Sequence, residues 1–164
     1  MSKIFSSTIF LAVLFFFSQN AIAQVEYPAP SPLAKLHQRV GVTDVEIEYS
    51  RPAIKGRTLF VDVEKFGSIW RTGANASTKI SFSHDVTLEG KAVPAGKYAI
   101  YSIPGQTDWT VMLYSDLTLG GNVGGYDESK EVVRVEVKAE KLPISVENLT
   151  FDIGNITNNG ATLG

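Results

Sequence analysis

No cysteine occurs in the 164 residues. That absence excludes disulfide cross-links, thiol nucleophiles and thiolate metal sites, and it closes the bacterial lipoprotein route, which needs a cysteine directly after the cleavage point. Histidine is almost as scarce. His37 and His84 stand alone, their spacing fits no recognised ligand pattern, and no metal site is expected. The signatures G-x-S-x-G, H-E-x-x-H and a glycine-rich loop ending in Lys-Ser or Lys-Thr are missing, so no cofactor is expected and no catalytic residue is nominated. The balance falls against an enzyme. There is no excess of basic charge either: 15 Lys and Arg stand against 17 Asp and Glu, which argues against a nucleic-acid partner. No apolar run reaches the roughly 18 to 20 residues that a membrane-spanning helix needs.

The first segment reads as an export signal. Lys3 gives a positive start, Ile4 to Phe17 is mostly apolar, and Ala21-Ile22-Ala23 is a small-x-small cleavage site. We therefore expect a signal peptide over residues 1–23, cleavage between Ala23 and Gln24, and a product in the periplasm or outside the cell. Residues 24–164 suit one domain, long enough to build a core without cross-links.

In that domain apolar residues recur with period two, and helical spacing is nearly absent. From Ala34 to Val40 the even positions Ala34, Leu36 and Val40 are apolar, while Lys35, His37 and Arg39 are basic. From Thr43 to Tyr49, Val45, Ile47 and Tyr49 alternate with Asp44, Glu46 and Glu48. A type II′ turn at Gly41-Val42 would set Val40 opposite Thr43. Arg39 then faces Asp44, His37 faces Glu46 and Lys35 faces Glu48 on one side, with Leu36 against Ile47 and Ala34 against Tyr49 on the other.

Further strands are expected at Ser68 to Thr72, Thr78 to Phe82, Val86 to Leu88, Ala92 to Val93, Lys97 to Ile103, Trp109 to Tyr114, Val132 to Lys138 and Val146 to Ile153. Turn chemistry separates them at Glu89-Gly90, Pro94-Ala95-Gly96, Pro104-Gly105 and Asn158-Asn159-Gly160. Short strands so spaced predict an all-β fold with little helix, an antiparallel two-sheet β-sandwich in preference to a barrel. Tyr98 to Ile103 is apolar on both faces and should lie centrally. Leu117 to Ser129, with four glycines, is the longest irregular stretch. Ala161-Thr162-Leu163 reads as the opening of a return strand, so the domain is expected to lack its C-terminal strands.

Two segments carry candidate binding residues. Arg51-Pro52-Ala53-Ile54-Lys55-Gly56-Arg57 places three cations in seven residues, an arrangement suited to forking onto carboxylate or phosphate. The plainer alternative is a solvated connection whose arginines pair with nearby sheet carboxylates. Ile69-Trp70-Arg71-Thr72-Gly73-Ala74-Asn75 ends a strand with an aromatic, a cation and an amide. Trp70 offers a stacking surface for a sugar ring, and Arg71 with Asn75 offers donors to an anion. The alternative makes Trp70 core and Arg71 a half-buried ion pair. Parity sends Trp70 to the side opposite Ile69 and Arg71.

Tyr49-Ser50-Arg51-Pro52, Lys55-Gly56-Arg57, Trp70 to Asn75, Pro94 to Tyr98, and Pro104-Gly105 preceding Trp109-Thr110-Val111 together resemble the landmarks of the family catalogued as domain of unknown function 2911. The resemblance implies a bacterial envelope or secreted β domain without an established activity. On the residues themselves we expect a non-catalytic module binding a small anionic or carbohydrate ligand through Arg51, Lys55, Arg57, Arg71 and Asn75, with Trp70 or Tyr49 beside them. The alternatives are a small hydrolase of envelope polysaccharide or peptidoglycan, and a structural protein that pairs through an edge strand.

Overall fold

The computed structural model describes residues 27 to 164, so the expected signal peptide and its cleavage position lie outside the described residues. Strand β1 (Leu33–Val40) and β2 (Thr43–Ser50) form the expected hairpin, with Val40 opposite Thr43, His37 opposite Glu46 and Ala34 opposite Tyr49. Gly41 takes φ +57° at the turn. A side chain there would be strained, and its Cβ would fall 2.5 Å from the Asn158 carbonyl oxygen. Lys35 Nζ meets Glu48 at 2.9 Å, and Arg39 lies 3.9 Å from Asp44. His37 departs from its expected partner: its ring leans diagonally to Asp44, at 3.5 Å, instead of Glu46.

Next come β3 (Thr78–Phe82), β4 (Val86–Leu88), β5 (Lys91–Val93), β6 (Gly96–Ile103), β7 (Asp108–Tyr114), β8 (Glu131–Lys138), β9 (Ile153–Gly154) and β10 (Thr162–Leu163). Six strands make one antiparallel sheet in the order β1-β2-β3-β6-β7-β8, and β4–β5 and β9–β10 are separate hairpins. The fold is all-β and sandwich-like, with no closed barrel and, among the described residues, no α-helix. No helix among them is long and apolar enough to cross a membrane.

Strand β6 is interior, as its two apolar faces require, and the sheet buries side chains on both sides of it. On one face Ile47, Tyr49, Ile80, Tyr98, Ile100, Leu113, Val133 and Val135 pack beneath the hairpins, with Val93 of β5 and Phe151 against them. On the other, Ala99, Tyr101, Met112 and Tyr114 are covered by Ile69 and by Leu117, Leu119, Val123 and Tyr126 from the long connection. That connection contains two short 3-10 turns, Val123–Gly125 and Glu128–Lys130.

Two expected strands are not strands. Ser68 to Thr72 contributes only a single bridge, Trp70 to Ser102. Thr72 turns to φ +50° and takes the chain out of line, so pairing cannot continue. Val146 to Ile153 is irregular until Ile153, because its polar groups bond to loops: Ile54 N donates to Glu147 O, and Leu149 N to Pro52 O. Thr162–Leu163 does pair back onto Ile153–Gly154.

At Leu113/Tyr114 the β7–β8 register shifts, so that Glu131 pairs with Tyr114. Glu131 is 11% exposed and accepts from Arg134 Nη2 at 2.6 Å and Nε at 2.8 Å, and from the Tyr126 hydroxyl at 2.9 Å. The Arg134 guanidinium holds this carboxyl below its ordinary value of 4.5. The pairing therefore adds stability that is present above about pH 4.5 and is lost as pH falls through the lower, folded value. Arg134 is 39% exposed, and solvent screens part of the attraction. Arg134→Met is expected to cost about 1.5–2 kcal/mol at pH 7 and to flatten the acid limb of stability against pH. Urea melts from pH 3 to 7 measure both effects, and an unchanged acid limb would contradict the pairing.

Candidate functional site

Arg51 follows directly on β2, and its guanidinium is engaged by the 149–150 segment: Nε donates to the Leu149 carbonyl at 3.0 Å and Nη2 to the Thr150 hydroxyl at 2.9 Å. Arg57 closes its own turn, with Nε to Ile54 O at 2.9 Å and Nη2 to Ala53 O at 2.7 Å. Lys55 is exposed, at φ +50°, and its backbone N–H donates to Glu147 Oε1 at 2.7 Å. The 51–57 segment thus holds the 147–150 stretch to the sheet, around the bridge between Ala53 and Asn148. Neither arginine uses the sheet carboxylates. Carbonyls exposed by irregular chain are closer, and each needs a donor.

Tyr49 lies in the core. Its hydroxyl accepts from Phe151 N at 3.2 Å, and the two rings meet edge to face at 4.9 Å. Asn75 adopts φ +59° and ties the segment before β1 to the end of β2, its amide donating to Ser31 O and Ser50 Oγ at 3.2 Å each. Trp70 exchanges backbone bonds with Ser102, and its Nε1 donates to Gly73 O at 3.2 Å. Its ring meets Trp109 edge-on at 6.2 Å, Trp109 meets Phe60, and Phe60 stacks on Phe66.

Arg71 goes to the other side, as parity requires, and there it stands apart from the other cations. Its guanidinium lies under Gly121: a Cβ added at that glycine would fall 2.6 Å from Nη1 and 3.1 Å from Cζ. Arg71 Nε is buried and has no hydrogen-bond partner among the described residues, and none of the ion pairs found among them involves Arg71. Ser77, 3% exposed, has a buried hydroxyl that lies close enough to the Tyr101 hydroxyl to lower that phenol's pKa, though not in full hydrogen-bond geometry. Both groups lie near the phenol of Tyr101, whose hydroxyl donates to Gly120 O at 2.8 Å. Burial raises the pKa of that phenol, so it remains a donor at neutral pH.

The loop between Arg71 and Ser77 is held firmly. Thr72 is β-branched yet sits at φ +50°, a conformation such residues avoid. Its hydroxyl pairs with Ser102 Oγ at 2.9 Å, and Thr78 Oγ1 donates to Thr72 O at 2.7 Å. Strain of this kind persists only where the surroundings impose it. Over the site, the segment from Asp116 to Tyr126 is anchored at both ends. Asp116 accepts from Thr118 N and Oγ1 and from Lys130 Nζ, contacts that hold its carboxyl well below the usual range. Tyr126 stacks on Tyr114 at 4.6 Å.

Of the seven candidate residues the structure leaves one, Arg71, with unused buried hydrogen-bonding capacity, and it adds Ser77, Tyr101 and the Gly120–Gly121 backbone. Ser77 and Tyr101 fall on the same sheet face by parity, which was the available signal. The contact with the glycine run was not legible, because it joins residues fifty apart.

The fold and this cluster define an antiparallel β domain with a half-buried cation beneath a glycine-rich cover. Residues 31–164 match the family described as protein of unknown function (DUF2911), and the chain belongs to that family. Comparison with curated proteins gives no match, and none is found among solved structures.

Proposed function

We propose that this chain, exported by its leader, is a non-catalytic binding module for a small ligand carrying a carboxylate or phosphate, taken between Arg71, Ser77 and Tyr101. One observation carries the reading: a buried guanidinium N–H without a partner lies, with the buried Ser77 hydroxyl, near one phenol. A buried polar group without a partner costs about 1–3 kcal/mol, more for a charged one, and an entering anion would recover that cost. Arg51, Arg57 and Asn75 already donate to protein oxygens and are not part of this site. The glycines at 120 and 121 let backbone lie directly over the cation, and opening of that cover admits the ligand.

Calorimetry and thermal shift with inorganic phosphate, acetate and glucuronate test the reading at constant ionic strength. The parent protein is expected to be stabilised saturably by at least one of them. Arg71→Met should weaken that binding at least tenfold, and Arg51→Met should leave it unchanged. Without ligand, Arg71→Met is expected to be neutral or stabilising, since it removes a half-buried charge whose buried Nε has no partner. Absence of any saturable shift in the parent, or a shift that survives Arg71→Met, rules the site out.

A further inference from the structure

A cleft lies on the opposite face of the sheet, away from Arg71. The layers there are not in full contact. Near the middle of that face Ile47, Ile80, Val93 and Leu113 are buried completely, whereas Val45, Phe82, Val86, Leu88 and Ile153, which belong to the same apolar cluster, are only half-buried. Between them is a cleft of about 650 Å³, floored by the sheet at Val45 and Phe82 and walled by Val86 and Leu88 of β4 on one side and by Ile153 and Leu163 of β9–β10 on the other. That volume falls within the roughly 300–1,000 Å³ of ligand pockets, which are mostly apolar with a few placed polar groups.

The C-terminal wall is fixed in place. Asp152 and Gly164 exchange two backbone hydrogen bonds at 2.9 Å, and Gly41 of the β1–β2 turn abuts Asn158. The polar lining identifies the ligand's head. Asp85 is the single charged side chain around the cleft among the described residues, and its Oδ1 already accepts from Ala95 N at 2.7 Å. Its other oxygen is acceptor-only, while Thr43, Thr87 and the Asn159 amide can accept or donate beside it. No lysine or arginine lines the cleft, so a carboxylate head would meet repulsion and no counter-charge.

We infer that this cleft binds an amphiphile with one alkyl chain and a hydrogen-bond-donating head that carries no negative charge, and that it discriminates against fatty acids. Displacement of N-phenyl-1-naphthylamine fluorescence by 1-octanol, 1-nonanol, 1-decanol and decanoate tests this with the full chain. The alcohols should compete saturably, gaining about fourfold in affinity per added methylene, and decanoate at pH 7.5 should compete at least tenfold more weakly than decanol. Thr87→Trp and Ala161→Trp place bulk in the cleft from exposed positions. Each should weaken decanol at least tenfold while the circular dichroism spectrum and melting temperature stay at parent values. If one variant unfolds, the other decides. Probe binding that is absent, insensitive to chain length or untouched by the folded variant overturns the cleft as the site. Decanoate binding as tightly as decanol overturns the assignment of the head.

Discussion

Tyr101→Ala is expected to destabilise the protein by about 3–5 kcal/mol, the range for removing a large aromatic from a packed core, and so to lower its melting temperature by roughly 10 to 20 °C. Tyr101 is fully buried at the centre of the second face. Its ring meets Tyr114 at 5.4 Å and Tyr126 at 5.3 Å, both edge to face, and its hydroxyl holds the Gly120 carbonyl. Alanine would remove the surface on which the 117–126 segment lies and would leave that carbonyl unpaired. Tyr101→Phe separates the two losses. It keeps the ring and gives up one hydrogen bond, so about 1 kcal/mol is expected, together with faster amide exchange at Gly120 and Gly121. Urea denaturation of the three proteins measures the difference. If alanine and phenylalanine cost the same, the ring contributes nothing to holding the cover, and the account of this face is wrong.

The second large effect is expected at Gly105, in the turn that joins β6 to β7. A Cβ at this position would overlap the carbonyl oxygen of Asp108, a backbone atom that cannot rotate aside. Pro104 before it is fully buried and accepts a hydrogen bond from Gly67 N at 2.8 Å, so the turn is held from outside as well. Gly105→Ala should therefore cost about 2–3 kcal/mol, the upper part of the overpacking range. Its effect should extend to Trp109, one residue beyond Asp108, whose contacts with Trp70 and Phe60 would loosen. A fall in stability with a red-shifted tryptophan emission is the expected pair of observations. Gly56→Ala is the control: there a Cβ meets nothing within 4 Å, and its cost comes from the φ of +71° alone. Equal losses at the two glycines would show that close approach at Gly105 is not what the turn depends on.

Much of this architecture is written in local alternation. Leu33 to Ser50 specifies its own register, because one face is charged and the other apolar, and a slip of one residue would exchange them. The interior place of Tyr98 to Ile103 follows from apolar residues on both sides. Alternation misleads at Ser68 to Thr72, where the φ of Thr72 ends pairing after one bridge to Ser102, and at Val146 to Leu149, where hydrogen bonds to the 52–54 loop outweigh a strand-like pattern. Positive-φ turns at non-glycine residues such as Lys55, Thr72 and Asn75 redirect the chain there, and composition does not announce them.

The candidate site divides in the same way. Cation clustering singles out Arg51, Lys55, Arg57 and Arg71 together, and the residues alone give no ground for separating them. What separates them is the position of main-chain carbonyls that enclose two of the guanidiniums and leave Arg71 facing a glycine backbone. Side-chain parity, a property of neighbours along the chain, determined the strands, their faces and the pairing of the first hairpin. The layering of the hairpins against one face, the cleft between them and the glycine cover over the other face were decided by tertiary contacts, because each brings together segments whose meeting depends on the whole sheet being formed.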